Sequence, residues 1–263
     1  MKNLTRKVVA YLSATVLLTV TTLSIRAQDQ AEDRWRFGVS VPLWAPSIDG
    51  NTTVHGQQQD ANISFDQLKD HLDASFSLGL DASKGKFGIF SSVGYMKFSS
   101  DTHSTADGGS ASADLKFVIA NAGLSYVLVK TGQERPFILA GTAGIRYWYA
   151  ETDLTLTDSE GNSTNPSQHK SLVDPVIGLR GSQYFTPKLH LDFAGDFGGF
   201  DISYDTDITW SASGVMTYDF AKWFSLSAGY SALSLHVENG SGTSKNGFDL
   251  TFHGPQIVAK FKF

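Results

Sequence analysis

Trp35-Arg36-Phe37-Gly38-Val39-Ser40-Val41-Pro42-Leu43 places Trp35, Phe37, Val39, Val41 and Leu43 at every second position, with Arg36, Gly38 and Ser40 between them. Successive side chains of an extended chain point to opposite sides, so this is a β-strand with one apolar face and one small or polar face. The pattern returns in Ala74–Lys84, where Phe76, Leu78, Leu80 and Ala82 oppose Ser75, Ser77, Gly79, Asp81 and Ser83, and Gly85 then supplies a tight turn. Further strands are predicted over Lys86–Ser99, Ala113–Val129, Arg135–Thr157, Ser171–Phe185, Leu189–Phe200, Asp207–Asp219, Trp223–Val237 and Phe248–Phe263. That makes ten strands; eight or twelve stay open, because Ser47–Phe65 reads as an extra hairpin and Asp66–Leu72 as a short helix.

The connections alternate in length. Those near Gly85, Thr131–Glu134, Thr186–Lys188 and Asp219–Lys222 are short, whereas Ser47–Asp73, Ser100–Ser112, Asp158–Lys170, Asp201–Thr206 and Glu238–Gly247 are long and polar. Short periplasmic turns and long extracellular loops on an even number of strands are the asymmetry of an antiparallel transmembrane β-barrel. A soluble lipocalin-like barrel is the competing reading, and it would turn the apolar face inward. Against it, aromatic residues gather at strand ends, Trp35, Trp44, Phe87, Tyr95, Tyr126, Phe137, Tyr147, Tyr149, Phe185, Tyr218, Trp223 and Tyr230 among them, where interfacial girdles would lie. The other face repeats Gly, Ser and Ala, which suits a crowded lumen better than a surface in water.

The two ends of the chain bear on its compartment. Lys2, Arg6 and Lys7 precede an uncharged run from Val8 to Ile25, followed by Arg26 and Ala27, the succession of a secretory signal peptide. Ser13, Ser24 and several threonines within that run favour a removable leader over a membrane anchor. Cleavage is expected after Ala27, so residues 1–27 form the leader and 28–263 a single barrel domain. Losing Lys2, Arg6, Lys7 and Arg26 moves the net charge from −5 to −9, which argues against nucleic acid as a partner. There is no cysteine, hence no disulfide framework, thiolate metal site or cysteine nucleophile. At the other end Ile257, Ala259, Phe261 and Phe263 alternate with Gln256, Val258, Lys260 and Lys262. A terminal aromatic with apolar residues at alternate positions resembles the signal that outer-membrane barrels present to their assembly machinery, with Phe261 and Phe263 as its aromatic members.

Four stretches resemble a large group of proteobacterial outer-membrane proteins that have no assigned biochemical activity: Leu43-Trp44-Ala45-Pro46-Ser47-Ile48-Asp49-Gly50, Gly144-Ile145-Arg146-Tyr147-Trp148, Asp174-Pro175-Val176-Ile177-Gly178-Leu179-Arg180 and Gly195-Asp196-Phe197-Gly198-Gly199-Phe200. More distantly the chain is similar to the small porin-like barrels of the OmpW and OmpA types. The resemblance spans the mature chain and implies fold and location: a multi-pass β-barrel of the Gram-negative outer membrane, surrounded by lipid and lipopolysaccharide and inserted by the barrel-assembly machinery through its last strand. It implies no activity.

Arg146 lies opposite Ile145 and Tyr147, so an outward apolar face directs it into the lumen, and Arg180 turns inward by the same logic. His190, Asp192 and Asp196 share one face opposite Leu189, Leu191, Phe193 and Phe197. A turn near Pro187 would bring Arg180 to Asp192 or Asp196, with Asp174 further along the inner face, so the candidate site is a lumenal charge cluster of Arg146, Asp174, Arg180, Asp192 and Asp196. Such a cluster either rigidifies a narrow barrel by ion pairing or forms a charged constriction. No hydrolase motif surrounds His55, His71, His103, His169, His190, His236 or His253, so neither a catalytic residue nor an enzyme is expected. No metal site or cofactor is expected either, and Asp201, Asp205 and Asp207 read as a solvated acidic loop rather than a calcium site. Two functions stay open: a narrow passive pore for a small-molecule solute, and a non-conducting barrel serving envelope structure or surface recognition.

Overall fold

The computed structural model describes residues 34–54, 56–100, 102–104, 108–200 and 208–263. The leader, its cleavage point and the Asp201, Asp205 and Asp207 loop lie outside them. Its elements are β1 (Arg36–Trp44), β2 (Ser47–Val54), β3 (Gln57–Asp60), α1 (Phe65–Asp70), β4 (Leu72–Lys84), β5 (Phe87–Ser99), β6 (His103–Ser104), β7 (Ser110–Thr131), β8 (Phe137–Thr157), β9 (Ser163–Thr164), β10 (Ser167–Tyr184), β11 (Leu189–Gly199), β12 (Ile208–Ala221), β13 (Phe224–Asn239) and β14 (Asn246–Lys262). Neighbours pair antiparallel in the order β1-β4-β5-β7-β8-β10-β11-β12-β13-β14, and β14 pairs back onto β1, so ten staves close on themselves. Closure gives every stave a partner on both sides, over only part of its length at the β1–β4 join, and such pairing of backbone groups is what lets strands cross a bilayer.

The closing seam is unusual. β14 pairs with β1 from Lys262 against Gly38 to Gln256 against Trp44, then with β2 from His253 against Ser47 to Gly247 against Thr53. The register is the same on both sides of Ala45-Pro46, so β1 and β2 form one interrupted stave. On its other side β1 pairs with β4 only over Arg36–Ser40 against Ser83–Gly79. Beyond that point the β2–β3 hairpin and α1 stand beside the wall: Ile63 bridges Ile48, the Phe65 amide donates to Ser47 Oγ at 3.0 Å, and the Ser99 amide donates to the His71 carbonyl at 2.9 Å. Ser64 caps the helix, with the Gln67 amide donating to Ser64 Oγ and the Ser64 amide donating to Gln67 Oε1, the reciprocal pair of a capping box.

The alternation of the sequence sorts the side chains as expected. Leu43, Phe76, Leu80, Phe87, Ile89, Leu124, Ile145, Ile177, Leu179, Phe197 and Ile257 are exposed on the outside, more large apolar surface than a barrel in water would leave uncovered. The interior changes character along its length. Toward the long loops it is apolar, with Trp148, Leu172, Leu233, Leu235 and Val237 buried together and Phe117, Ile119 and Phe248 packed on them. Trp44, expected in an outer girdle, instead points inward, donating its indole N–H to the Gly254 carbonyl at 3.2 Å and packing on this cluster. It is an even-numbered position of a strand whose odd positions face outward, so the parity of β1 sends it to the lumen.

Candidate functional site

Along β8 the inward side chains include Ala140, Arg146, Trp148 and Ala150, and three cavities follow one another along that line. Ala140 lines one of about 480 Å³ near the short turns, Arg146 one of about 270 Å³ at mid-height, and Trp148 and Ala150 one of about 650 Å³ toward the long loops.

Arg146 is 3 % exposed and fills the middle. Its Nη2 donates to Asp196 Oδ1 at 2.8 Å and Oδ2 at 3.0 Å, its Nε to Asn121 Oδ1 at 2.8 Å, and its Nη1 to Thr209 Oγ1 at 3.3 Å. Thr209 in turn donates to the Ser234 carbonyl at 2.9 Å. One guanidinium thus ties β7, β8, β11 and β12 across the lumen, and a charge-assisted contact of this kind is worth more than a neutral one. Asp174 sits opposite Arg146 in the β8–β10 ladder, fully buried, and accepts from the Trp148 indole N–H at 3.0 Å. Of the predicted residues, Arg146, Asp174 and Asp196 therefore meet at mid-height. Gly178 faces Asp196 in the β10–β11 ladder; a Cβ there would come within 2.7 Å of the Asp196 Cβ and 2.3 Å of the Gly195 carbonyl oxygen. The glycine lets the β10 backbone lie close against Gly195 and Asp196.

Arg180 and Asp192 belong to a lower tier and do not pair with each other. The Asp192 carboxylate accepts from Ser182 Oγ and from Thr217 Oγ1 at 2.7 Å, and stands 3.2 Å from His190 Nε2. His190 is buried, stacked on Tyr184 with ring centroids 4.3 Å apart. The expected coupling of Arg180 to Asp192 or Asp196 is thus corrected. Arg180 is level with Ala194, between the two acids, but both are already occupied. Its side chain instead reaches past β8, with Nη2 donating to Ser125 Oγ at 2.7 Å and the guanidinium lying over the Phe90 ring at 5.0 Å. Lys260 pairs with Asp81 at 2.7 Å and Lys262 with Asp219 at 2.5 Å in the same tier.

Asn121, Thr209, Asp81 and Lys260 were not singled out from the sequence. The signal was there for Asp81, which shares the polar face of Ala74–Lys84, and for Lys260, on the polar face of the last strand. Among the described residues no group of three or more His, Asp or Glu is placed to hold a metal ion.

No family model matches the sequence, and no curated protein matches it. Solved structures of similar fold include Ail, the attachment invasion locus protein of Yersinia pestis, crystallised with the heparin analogue sucrose octasulfate (13 % identity, TM-score 0.35, covering 84 % of this chain and 98 % of that one). Others are the outer membrane protein OprG from Pseudomonas aeruginosa (11 % identity, TM-score 0.31, 87 % and 95 %) and the toluene transporter TodX of P. putida (9 % identity, TM-score 0.28, 88 % and 90 %). The fold of this chain rests on its own strand pairing, an antiparallel barrel of ten staves closed by β14 on β1, with large apolar side chains on its outside.

Proposed function

We propose that the protein is a non-enzymatic, passive port of the Gram-negative outer membrane for small, uncharged and largely apolar solutes. The observation that carries this reading is the cavity of about 650 Å³ inside the loop end of the barrel, walled by Ile63, Leu68, Phe98, Leu172, Leu235 and Phe252. Ligand sites are concave, mostly apolar, and of this size. The exposed residues Gln67, His71 and Lys170 stand at its mouth, and α1 forms one side of it. In this reading lipid and lipopolysaccharide surround the apolar band, and the assembly machinery engages the strand ending at Phe263.

The test is binding of naphthalene to the refolded barrel in zwitterionic micelles, followed by intermolecular nuclear Overhauser effects. Contacts to the methyl groups of Leu172 and Leu235 are expected. Contacts confined to the outward-facing Ile177 and Leu179, where the micelle lies, would overturn the reading. A second reading, a barrel that does not conduct and serves the envelope structurally, is favoured by Arg146, whose bonds occupy the mid-lumen.

A further inference from the structure

The cavity of about 480 Å³ at the turn end has a charge opposite to that of the chain. Its lining carries the cations Arg36, Lys86, Arg180, Lys260 and Lys262 against the carboxylates Asp81 and Asp192. Even when Asp219, which holds Lys262, is counted, cations exceed carboxylates by two, in a protein whose net charge is −5.

Of the three lining cations that take no carboxylate, Arg36 and Lys86 are exposed to water and Arg180 is half-buried. Lys260 takes Asp81, Lys262 takes Asp219, and Asp192 is held by His190, Ser182 and Thr217. Among the described residues no carboxylate lies within ion-pair distance of Arg180, whose neutral partners are the Ser125 hydroxyl and the Phe90 ring. A guanidinium cannot shed its proton to relieve this position, and withdrawing a charge from water without a partner is costly. What the protein does not supply, the solvent must. Gly88 keeps the space beside Arg180 open, because a Cβ there would come within 3.2 Å of Arg180 Nη2 and 2.6 Å of Ser125 Oγ.

We infer that this cavity is a binding site for a small carboxylate anion, with Arg180 as its principal ligand. Nη2 commits one N–H to Ser125, which leaves its second N–H to act in parallel with a neighbouring N–H of the planar guanidinium, a geometry that suits a carboxylate better than a spherical ion. Phe90 beneath the ring plane fixes its orientation. The site lies at the other end of the barrel from the apolar cavity and does not depend on whether the lumen conducts.

Acetate titrated by calorimetry into the full refolded barrel, at constant ionic strength in zwitterionic micelles, should bind saturably at one site per chain. Arg180→Gln should weaken that binding at least tenfold, and Gly88→Ala should weaken it as well by crowding the fork. Lys116→Gln, at the loop end, should leave it unchanged. Should Arg180→Gln fail to refold, a crystal of the unaltered protein soaked in 4-bromobenzoate is to show anomalous density in the cavity, with the carboxylate on the Arg180 guanidinium. Absence of saturable binding in the unaltered protein, equal affinity in Arg180→Gln, or density elsewhere and none beside Arg180 would overturn the inference.

Discussion

Arg146 and Asp196 are on strands that are not neighbours, since β10 runs between them. Their contact therefore depends on the length of the arginine side chain and on the curvature of the wall, neither of which a strand-by-strand reading of the sequence contains. Which residues face inward was legible, because it follows from parity alone. Which of them pair was not, and Arg180 illustrates why: register placed it level with the gap between Asp192 and Asp196, while the saturation of both acids by other donors sent it elsewhere. The two arginines should consequently behave differently. Asp196→Ala should destabilise the barrel by up to about 3–5 kcal/mol, the range for stranding one partner of a buried pair, and less where lumenal water screens it. Combining it with Arg146→Met should recover part of the loss in urea unfolding followed in detergent. The combination of Arg180→Met with Asp192→Ala should be additive within error; strong coupling there and none between Arg146 and Asp196 would contradict the placement of both side chains.

At the level of strands, the ten predicted segments each correspond to one stave, and the loop-side ends of several extend further than the alternation indicates. β7 begins at Ser110 and β10 at Ser167, inside stretches read as loops, because beyond the membrane both faces of a strand meet water and the alternation of polarity fades even though the ladder continues. About ten tilted residues suffice to cross, and Glu151 stands fourteen positions beyond Phe137 on β8, so it lies past the span, toward the long loops. There Lys116 bridges Glu151 at 2.9 Å and Asp153 at 3.1 Å. The Tyr149 hydroxyl and then Lys116 hold the Glu151 carboxyl below its ordinary range, and Ser167 and then Lys116 do the same for Asp153. Carboxyls depressed in the folded state contribute stability above their ordinary pKa and lose it as pH falls through the lowered values. Measured against the intrinsic exchange rate at each pH, amide protection at the outer ends of β7 and β8 should therefore fall in acid while Ala140 and Gly141, deep in the wall, keep theirs. Uniform exchange at both levels would deny the outer ion pairs a stabilising role.

The last strand separates two roles that the sequence could only present together. Phe263 exchanges backbone hydrogen bonds with Phe37 in both directions, at 3.1 and 2.9 Å, while its side chain is 73 % exposed and Phe261 stacks on Trp223 at 6.3 Å. Deleting Phe263 removes the terminal rungs, whereas Phe263→Ala keeps them and removes only the exposed ring. Heat-modifiable migration on semi-native gels should show reduced folded barrel for the deletion even when refolded in detergent. For Phe263→Ala the yield should fall in cells and hold in detergent. Equal yields of all forms in both settings would take Phe263 out of the account of assembly.

For the molecule as a whole, fold class, closure and the in-out arrangement were written in a periodicity of two, and the division of the lumen was not. An apolar outer half, a bonded middle and a positively charged inner half come from side chains on non-adjacent staves meeting across the interior. If Arg146 closes the middle, Arg146→Ser should raise single-channel conductance in a planar bilayer from a closed or near-closed baseline, and steady conductance that is identical before and after the change would move the constriction elsewhere.

The shared β1/β2–β14 seam also governs the order of events during assembly. Its rungs join residues about two hundred positions apart, from Thr53 with Gly247 to Phe37 with Phe263. Every other wall pairing joins strands consecutive along the wall and close in the chain, so hairpins can zip one after another, whereas the seam must wait until the final residues have been delivered. Loops of that length close slowly because their entropy is lost before any contact repays it. Until then the growing sheet carries two bare edges, and the period between the tenth stave's arrival and its capture by the first is when the chain is most exposed to pairing with a stranger.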